Sequence, residues 1–170
     1  MQIYTTGPET PRLKLRALTE EDAEDVFALN SHPDVMKYTG EPPFRSLEDA
    51  VERIRTYPDF EERGFGRWGC LHKADQRVIG FCGLKYLSEL DAVDLGYRLL
   101  PQYWGQGLAT EAALATVAFG FDVLKLSEII GLVMPGNVAS IRVLEKVGMQ
   151  PQGEILYDGD MALKYAVGRG

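Results

Sequence analysis

The stretch Gln102 to Glu111 (QYWGQGLATE) sets Gly105 and Gly107 one residue apart, between an apolar strand-like run and an apolar helix-like run. Glycine reaches backbone conformations closed to other residues and leaves its N–H uncovered. At the head of a helix the first N–H groups have no partner within the helix and carry partial positive charge. Together these features form a seat for an anion, best suited to phosphate or pyrophosphate. A glycine-assisted turn with no ligand is the plainer reading of two glycines alone. Two nucleotide patterns fail. A P-loop needs Gly-Lys-Ser/Thr, but Leu108 and Ala109 follow Gly107. A dinucleotide fingerprint needs a third glycine where Thr110 stands, and an acid ending the next strand where Glu128 opens it. The pattern left is Gln/Arg-x-x-Gly-x-Gly/Ala, matched by Gln102, Gly105 and Gly107.

Other residues carry polar chemistry in apolar surroundings. Asp94 lies two positions before Gly96 in a strand-like run, on the face shared with Arg98, so it reads as Arg98's ion-pair partner or as a working carboxylate. Asn137 heads an amphipathic run and suits an N-cap, with Ser140 in the same first turn. Arg142 and Lys146, four apart, share a helix face and read as phosphate contacts or as surface ion-pair partners. Tyr103 and Trp104 read as core aromatics or as cleft walls, with the core expected for Trp104. Cys70 and Cys82 lack CxxC spacing and read as reduced core thiols. His32 and His72 are too far apart to indicate a metal site.

These residues need elements to hold them. Leu13–Leu18 alternates and reads as a strand. Thr19 and Ser46 each precede acidic first turns and apolar stripes, opening two helices broken by His32-Pro33 and Pro58. Trp68–His72 and Val78–Leu84 read as a hairpin, and Ala92–Leu100 as a further strand closed by Pro101. Leu108–Leu124 reads as a helix apolar on nearly all sides and therefore buried. Glu128–Val133 is a short buried strand. Asn137–Val147 is a capped helix with Gly148 past its end. Gly153–Tyr157 and Asp160–Val167 form a last strand pair. The expected architecture is α+β (mixed α/β), a largely antiparallel sheet of about seven strands flanked by about four helices, with one βαβ crossover at the glycine loop.

The 170 residues fit a single domain, 1–170. Apolar residues make up 45%, and no apolar run is long enough to span a bilayer. The N-terminal residues lack a signal-peptide layout, so a cytoplasmic protein is expected, with no membrane partner. The net charge of −7, without a Lys/Arg cluster, excludes a broad nucleic-acid surface and favours cationic partners such as amines or basic peptides.

The ordered set of motifs resembles the GNAT superfamily of acetyl-coenzyme A-dependent N-acetyltransferases. Besides the glycine pattern it includes Asp94-Leu95-Gly96-Tyr97, Asn137-Val138-Ala139-Ser140 and Val143-Leu144-Glu145-Lys146-Val147-Gly148-Met149, with Met149 where Phe is commoner. Arg12–Arg16, the Trp68 strand and Val78-Ile79-Gly80 resemble the RimJ/RimL-like branch, which acetylates N-termini of ribosomal proteins. The resemblance implies a GNAT-like sheet and acetyl-CoA as co-substrate, with no metal. It implies that Gly105, Gln106, Gly107, Leu108, Ala109 and Thr110 hold the cofactor pyrophosphate, with Gln102 fixing the loop or meeting a phosphate. Asn137 would contact the pantetheine arm, Ser140 would lie near the sulfur, and Arg142 and Lys146 would line the phosphate side. Asp94 would act as general base, directly or through water. The Leu99 N–H would polarise the carbonyl, and Ser140 or Tyr97 would protonate the departing thiolate. The acceptor would be an amine: a peptide N-terminus, a polyamine, an aminoglycoside or another small amine. His32–Phe44 and Tyr157–Met161 would frame it, with Asp158 and Asp160 as anchors for a cation. A homodimer accords with the family. A non-catalytic acyl-CoA-binding sensor is the competing reading.

Overall fold

The computed structural model describes residues 1–170. One sheet of eight strands organises the chain, in the order β1-β2-β3-β4-β5-β6-β8-β7. Its strands are β1 (Thr6–Glu9), β2 (Leu13–Arg16), β3 (Arg67–His72), β4 (Arg77–Leu87), β5 (Ala92–Leu99), β6 (Glu128–Val133), β7 (Gln150–Tyr157) and β8 (Asp160–Gly168). Six α-helices accompany them: α1 (Ala23–Ser31), α2 (Pro33–Met36), α3 (Leu47–Arg55), α4 (Asp59–Arg63), α5 (Leu108–Asp122) and α6 (Val138–Lys146).

The α+β architecture agrees with expectation, and two counts differ. The added strand is β1, whose sequence TGPE reads locally as a turn. It forms because an edge strand tolerates Pro8 and because Gly7 leaves room for the Trp68 ring; a Cβ at Gly7 would meet that ring at 2.6 Å. The added helices, α2 and α4, are short. His32-Pro33 both ends α1 and starts α2, where Pro33 suits a first helical position and the His32 ring accepts the Asp34 N–H. The Ser46 cap is present, its hydroxyl accepting the Asp49 N–H. Helix α5 ends at Asp122 and buries one face only, through Leu108, Ala112, Ala113, Thr116, Val117 and Gly120, while Leu114 is exposed.

Every strand pair is antiparallel except β5 and β6, joined by the α5 crossover and matched in register only at Asp94 opposite Ile130. Beyond that point β5 and β6 diverge and leave a gap in the sheet.

Cross-strand partners share a face. On the front of the sheet, Lys85 lies opposite Asp94, Gly83 opposite both Gly96 and Arg67, and Phe81 opposite Arg98. Helix α1 closes this side, its Asn30 reaching Arg98. On the back, Leu84 lies opposite Leu95 and Cys82 opposite Tyr97. Helix α5 covers this side, its Thr116 hydroxyl 3.4 Å from Cys82 Sγ. The main core gathers Leu13, Leu15, Trp68, Ile79, Leu84, Leu108 and Leu144. Both cysteines are free and buried, and burial pushes the Cys82 thiol up to about 12.

Candidate active site

A cleft of about 1530 Å³ passes through the gap. Its lining includes front-face Arg67, Asp94 and Arg98 together with back-face Tyr97, Leu99 and Ser140. Residues on opposite faces of a continuous sheet could not share a cavity; here the divergence of β5 and β6 joins them.

The back half is bounded by the glycine loop. Gly105 and Gly107 have φ of +74° and +78°. A Cβ on Gly105 would find nothing within 4 Å, and one on Gly107 only Arg12 at 3.6 Å. The space beside both glycines is open, so the glycines serve conformation and access rather than internal packing. Gly107 caps α5 without a side chain, so the first amides of that helix point outward with no capping group. An open concave loop at the head of a 15-residue helix fits a pyrophosphate.

The loop is braced from behind. Glu111 accepts the Thr10 hydroxyl at 2.6 Å and the Arg12 Nε at 2.9 Å, while Arg12 Nη1 donates to the Gln106 carbonyl at 2.9 Å. Burial pushes the Glu111 carboxyl up, but the Thr10 and Arg12 donors outweigh it and hold it below its ordinary value. Sequence reasoning missed this brace, because 99 residues separate Arg12 from Glu111. Gln102 and Gln106 are exposed and stand outside the cleft lining, while Leu108, Ala109 and Thr110 lie within it.

Trp104 is not a core residue: it is 49% exposed at the cleft edge. Its indole N–H donates to the Leu99 carbonyl at 2.8 Å, which fixes the ring where the chain leaves β5. Tyr103 is the buried aromatic, with its hydroxyl on Asp75 at 2.6 Å. Leu100 N–H donates to the Ile79 carbonyl. Strand alternation therefore turns the neighbouring Leu99 N–H the other way, toward the gap.

Helix α6 borders the gap on the β6 side. Asn137 caps it, accepting the Ser140 N–H at 3.3 Å. The Tyr97 hydroxyl lies 2.8 Å from the Ser140 carbonyl and 2.9 Å from Ser140 Oγ. Tyr97 donates to the carbonyl, so the Ser140 hydroxyl is the donor to Tyr97. Burial pushes the Tyr97 phenol well above its ordinary value and keeps it protonated. Arg142 and Lys146 are exposed, line the cleft and make no ion pair within the chain.

On the front, Asp94 is 7% exposed and its partner is Arg67, not Arg98. Arg67 Nη2 donates to Oδ2 at 2.9 Å, and the Leu132 N–H donates to Oδ1 at 3.3 Å. The guanidinium reaches Asp94 by lying across Gly96, where any Cβ would collide with it. The carboxylate thus takes the Leu132 amide of β6, two residues beyond Ile130, the last register match with β5, at the mouth of the gap. Burial pushes the Asp94 carboxyl above its ordinary value, against the pull of Arg67. Arg98 is instead held by Asn30 Oδ1 at 3.1 Å and Glu41 Oε2 at 3.2 Å. The available signal for Arg67 was the pair Gly83 and Gly96, two glycines inside strands with no turn to explain them.

No group of three or more His, Cys, Asp or Glu side chains is gathered as metal ligands, and no helix is long and apolar enough to cross a membrane.

Comparison with known proteins agrees with this geometry. Residues 12–150 match the acetyltransferase (GNAT) domain model. The chain is 37% identical over 148 residues to the uncharacterized N-acetyltransferase YoaA of Bacillus subtilis, covering 85% of this chain and 83% of YoaA. It is 28% identical over 153 residues to the spermidine N(1)-acetyltransferase of Escherichia coli K12, covering 89% and 80%. A GNAT-family acetyltransferase structure from Bacillus anthracis superposes with a TM-score of 0.80 at 30% identity, over 94% of this chain and 96% of that one. The spermidine N-acetyltransferase of Vibrio cholerae, solved with CoA and spermine, shares the fold at a TM-score of 0.75 and 20% identity, over 93% and 96% of the two chains. The glycine loop, the split sheet and these relatives converge on one conclusion: the chain belongs to the GNAT family and is an acetyltransferase.

Proposed function

We propose that the protein transfers an acetyl group from acetyl-CoA to a primary amine that enters from the front of the sheet. The observation that carries this reading is the single cleft through the β5–β6 gap, with the anion-seating loop on one side and a buried carboxylate on the other. When bound, acetyl-CoA supplies an acyl group already activated as a thioester.

The chain's own residues then have five tasks. The loop amides from Gly105 to Thr110 seat the pyrophosphate, with Arg142 and Lys146 on the phosphate side. The Asn137 cap fixes the first turn of α6 and the pantetheine path beside it. The Leu99 N–H, aimed into the gap, is the donor for the thioester carbonyl oxygen. Asp94 takes the amine proton, directly or through one water; a carboxylate raised by burial is a better acceptor than an exposed one. An α-amine, with a pKa of about 7.7–8.0, asks less of that base than a lysine-like amine does. The Ser140–Tyr97 hydroxyl pair returns a proton to the thiolate.

The resemblance to the ribosomal-protein branch favours a peptide N-terminus, whereas the Escherichia coli relative is a spermidine acetyltransferase. The test is thiol release from acetyl-CoA against pools of N-terminal peptides, amino acids, polyamines and aminoglycosides, run beside thermal shift. Cofactor at ~100 times its dissociation constant adds about 2.7 kcal/mol of stability. Release with one pool is the expected result. A shift without release from any pool would favour the acyl-CoA sensor, and no shift would remove the cofactor reading.

A further inference from the structure

The front half of the cleft has a charge arrangement that acetyl transfer alone does not require. The guanidinium carbons of Arg67 and Arg98 lie 5.7 and 5.1 Å from the centroid of the Phe81 ring. Arg53 lines the same cleft, 5.4 Å over Phe44, and makes no ion pair. Arg53 and Arg67 both act on Arg98 as like charges. Two of these three cations are paired with a carboxylate, Arg67 with Asp94 and Arg98 with Glu41. Each Asp94 oxygen accepts one hydrogen bond, from Arg67 and from Leu132, which anchors the carboxylate while leaving a second lone pair on each.

Glu41 differs from Asp94 in how it is held. Its side chain is 42% exposed, against 15% for its partner Arg98. It stands on the segment between α2 and α3, after Gly40 at φ +70° and before Pro42-Pro43. Arg98 has two partners besides Glu41, the Asn30 side-chain oxygen and the Phe81 ring. A carboxylate on a loop, paired to a half-buried guanidinium on a strand, is the member that can leave.

We infer that the acceptor carries a carboxylate near its amine, as a free α-amino acid or an N-terminal peptide with an acidic residue does, and that Arg98 receives it in exchange for Glu41. The inference rests on the acetyl-transfer reading and names its acceptor class. A planar guanidinium matches a carboxylate through two parallel hydrogen bonds, and Arg53 supplies a second charge at the same end. A polyamine would instead bring a second ammonium against three arginines, which costs affinity. The rim acids Asp34, Glu61, Asp158 and Asp160 are exposed, so water screens them more than it screens the half-buried Arg98.

The test is calorimetric titration into protein saturated with CoA, so that binding is read without turnover. The probes are α-amino acids, their α-amides, short peptides with an acidic second residue, and spermidine. The proteins are wild type, Arg98→Gln and Glu41→Gln. The free amino acids or the acidic peptides should bind roughly tenfold or more tightly than the amides; which set binds identifies the source of the carboxylate. Arg98→Gln should abolish that preference. Glu41→Gln, a change on an exposed loop, should tighten carboxylate binding several-fold by removing a competitor. The inference is overturned by spermidine or amides binding as well as carboxylates, by weaker carboxylate binding in Glu41→Gln, or by no probe binding at all. Thiol release on the same proteins separates the two readings, because failed transfer with intact carboxylate binding removes the enzyme mechanism and leaves the ligand class standing.

Discussion

On the back of the sheet the cleft is made of backbone: Gly105 and Gly107 at positive φ, the outward amides of α5, and the Leu99 N–H turned into the gap. On the front it is made of side chains that meet across strands: Arg67 from β3 on Asp94 from β5, and Arg98 from β5 on Glu41 from a loop. A backbone seat recognises a chemical group common to every reaction of this kind. A side-chain seat recognises one partner and changes by substitution. In the proposed reaction the difference separates the seat for the cofactor from the seat for the acceptor, and it can be broken or sharpened by variants on either side.

The largest effect belongs to the front. Asp94→Asn should lower kcat by roughly 10²–10⁴-fold if Asp94 is the sole base, measured by steady-state thiol release. A loss under tenfold with an unchanged pH profile would end that role. Arg67→Gln leaves the buried Asp94 without its cation and should destabilise the protein by about 3 kcal/mol, read by denaturant unfolding. It also carries a sign. Arg67 lowers the Asp94 pKa, and if Asp94 is the base the proposed reaction needs its carboxylate, so activity should fall as pH drops through that pKa. Without Arg67 this acid limb should move to higher pH. On the back, Gly107→Val forces a branched residue to φ +78° and should weaken acetyl-CoA binding roughly ten- to hundred-fold. Asn137→Ala removes a cap and should cost about 1 kcal/mol, or about 2–4 °C in Tm for a chain of this size.

The smallest effect concerns the brace. The Glu111 pKa is lowered by folding. Its contribution to stability is therefore complete above the ordinary glutamate value and lost as pH falls through the lowered one. Glu111→Gln should therefore lower Tm at neutral pH and converge on the wild-type value at the acid end, flattening the Tm-against-pH curve.

The same division explains what could be read in the sequence. The glycine loop, the Asn137 and Ser46 caps, the β5–α5–β6 crossover and the final strand pair follow from local rules of spacing, turn chemistry and alternation. Local rules also put Trp104 in the core, since they rank residue types and cannot see a strand end that leaves the ring over a cleft. The Arg67–Asp94 pair was out of reach for another reason. It spans 27 residues and depends on β3 and β5 both lying beside β4, with Gly96 making the passage between them. Strand β1 was hidden because its local sequence is a turn-former, and only the Trp68 ring over Gly7 gives it a reason to pair.

The most direct test of this division is a calorimetric titration of acetyl-CoA into wild type, Gly107→Val and Arg98→Gln. The account predicts that Gly107→Val weakens binding roughly ten- to hundred-fold while Arg98→Gln binds acetyl-CoA as wild type does. Equal affinity for all three, or a loss confined to Arg98→Gln, would contradict it.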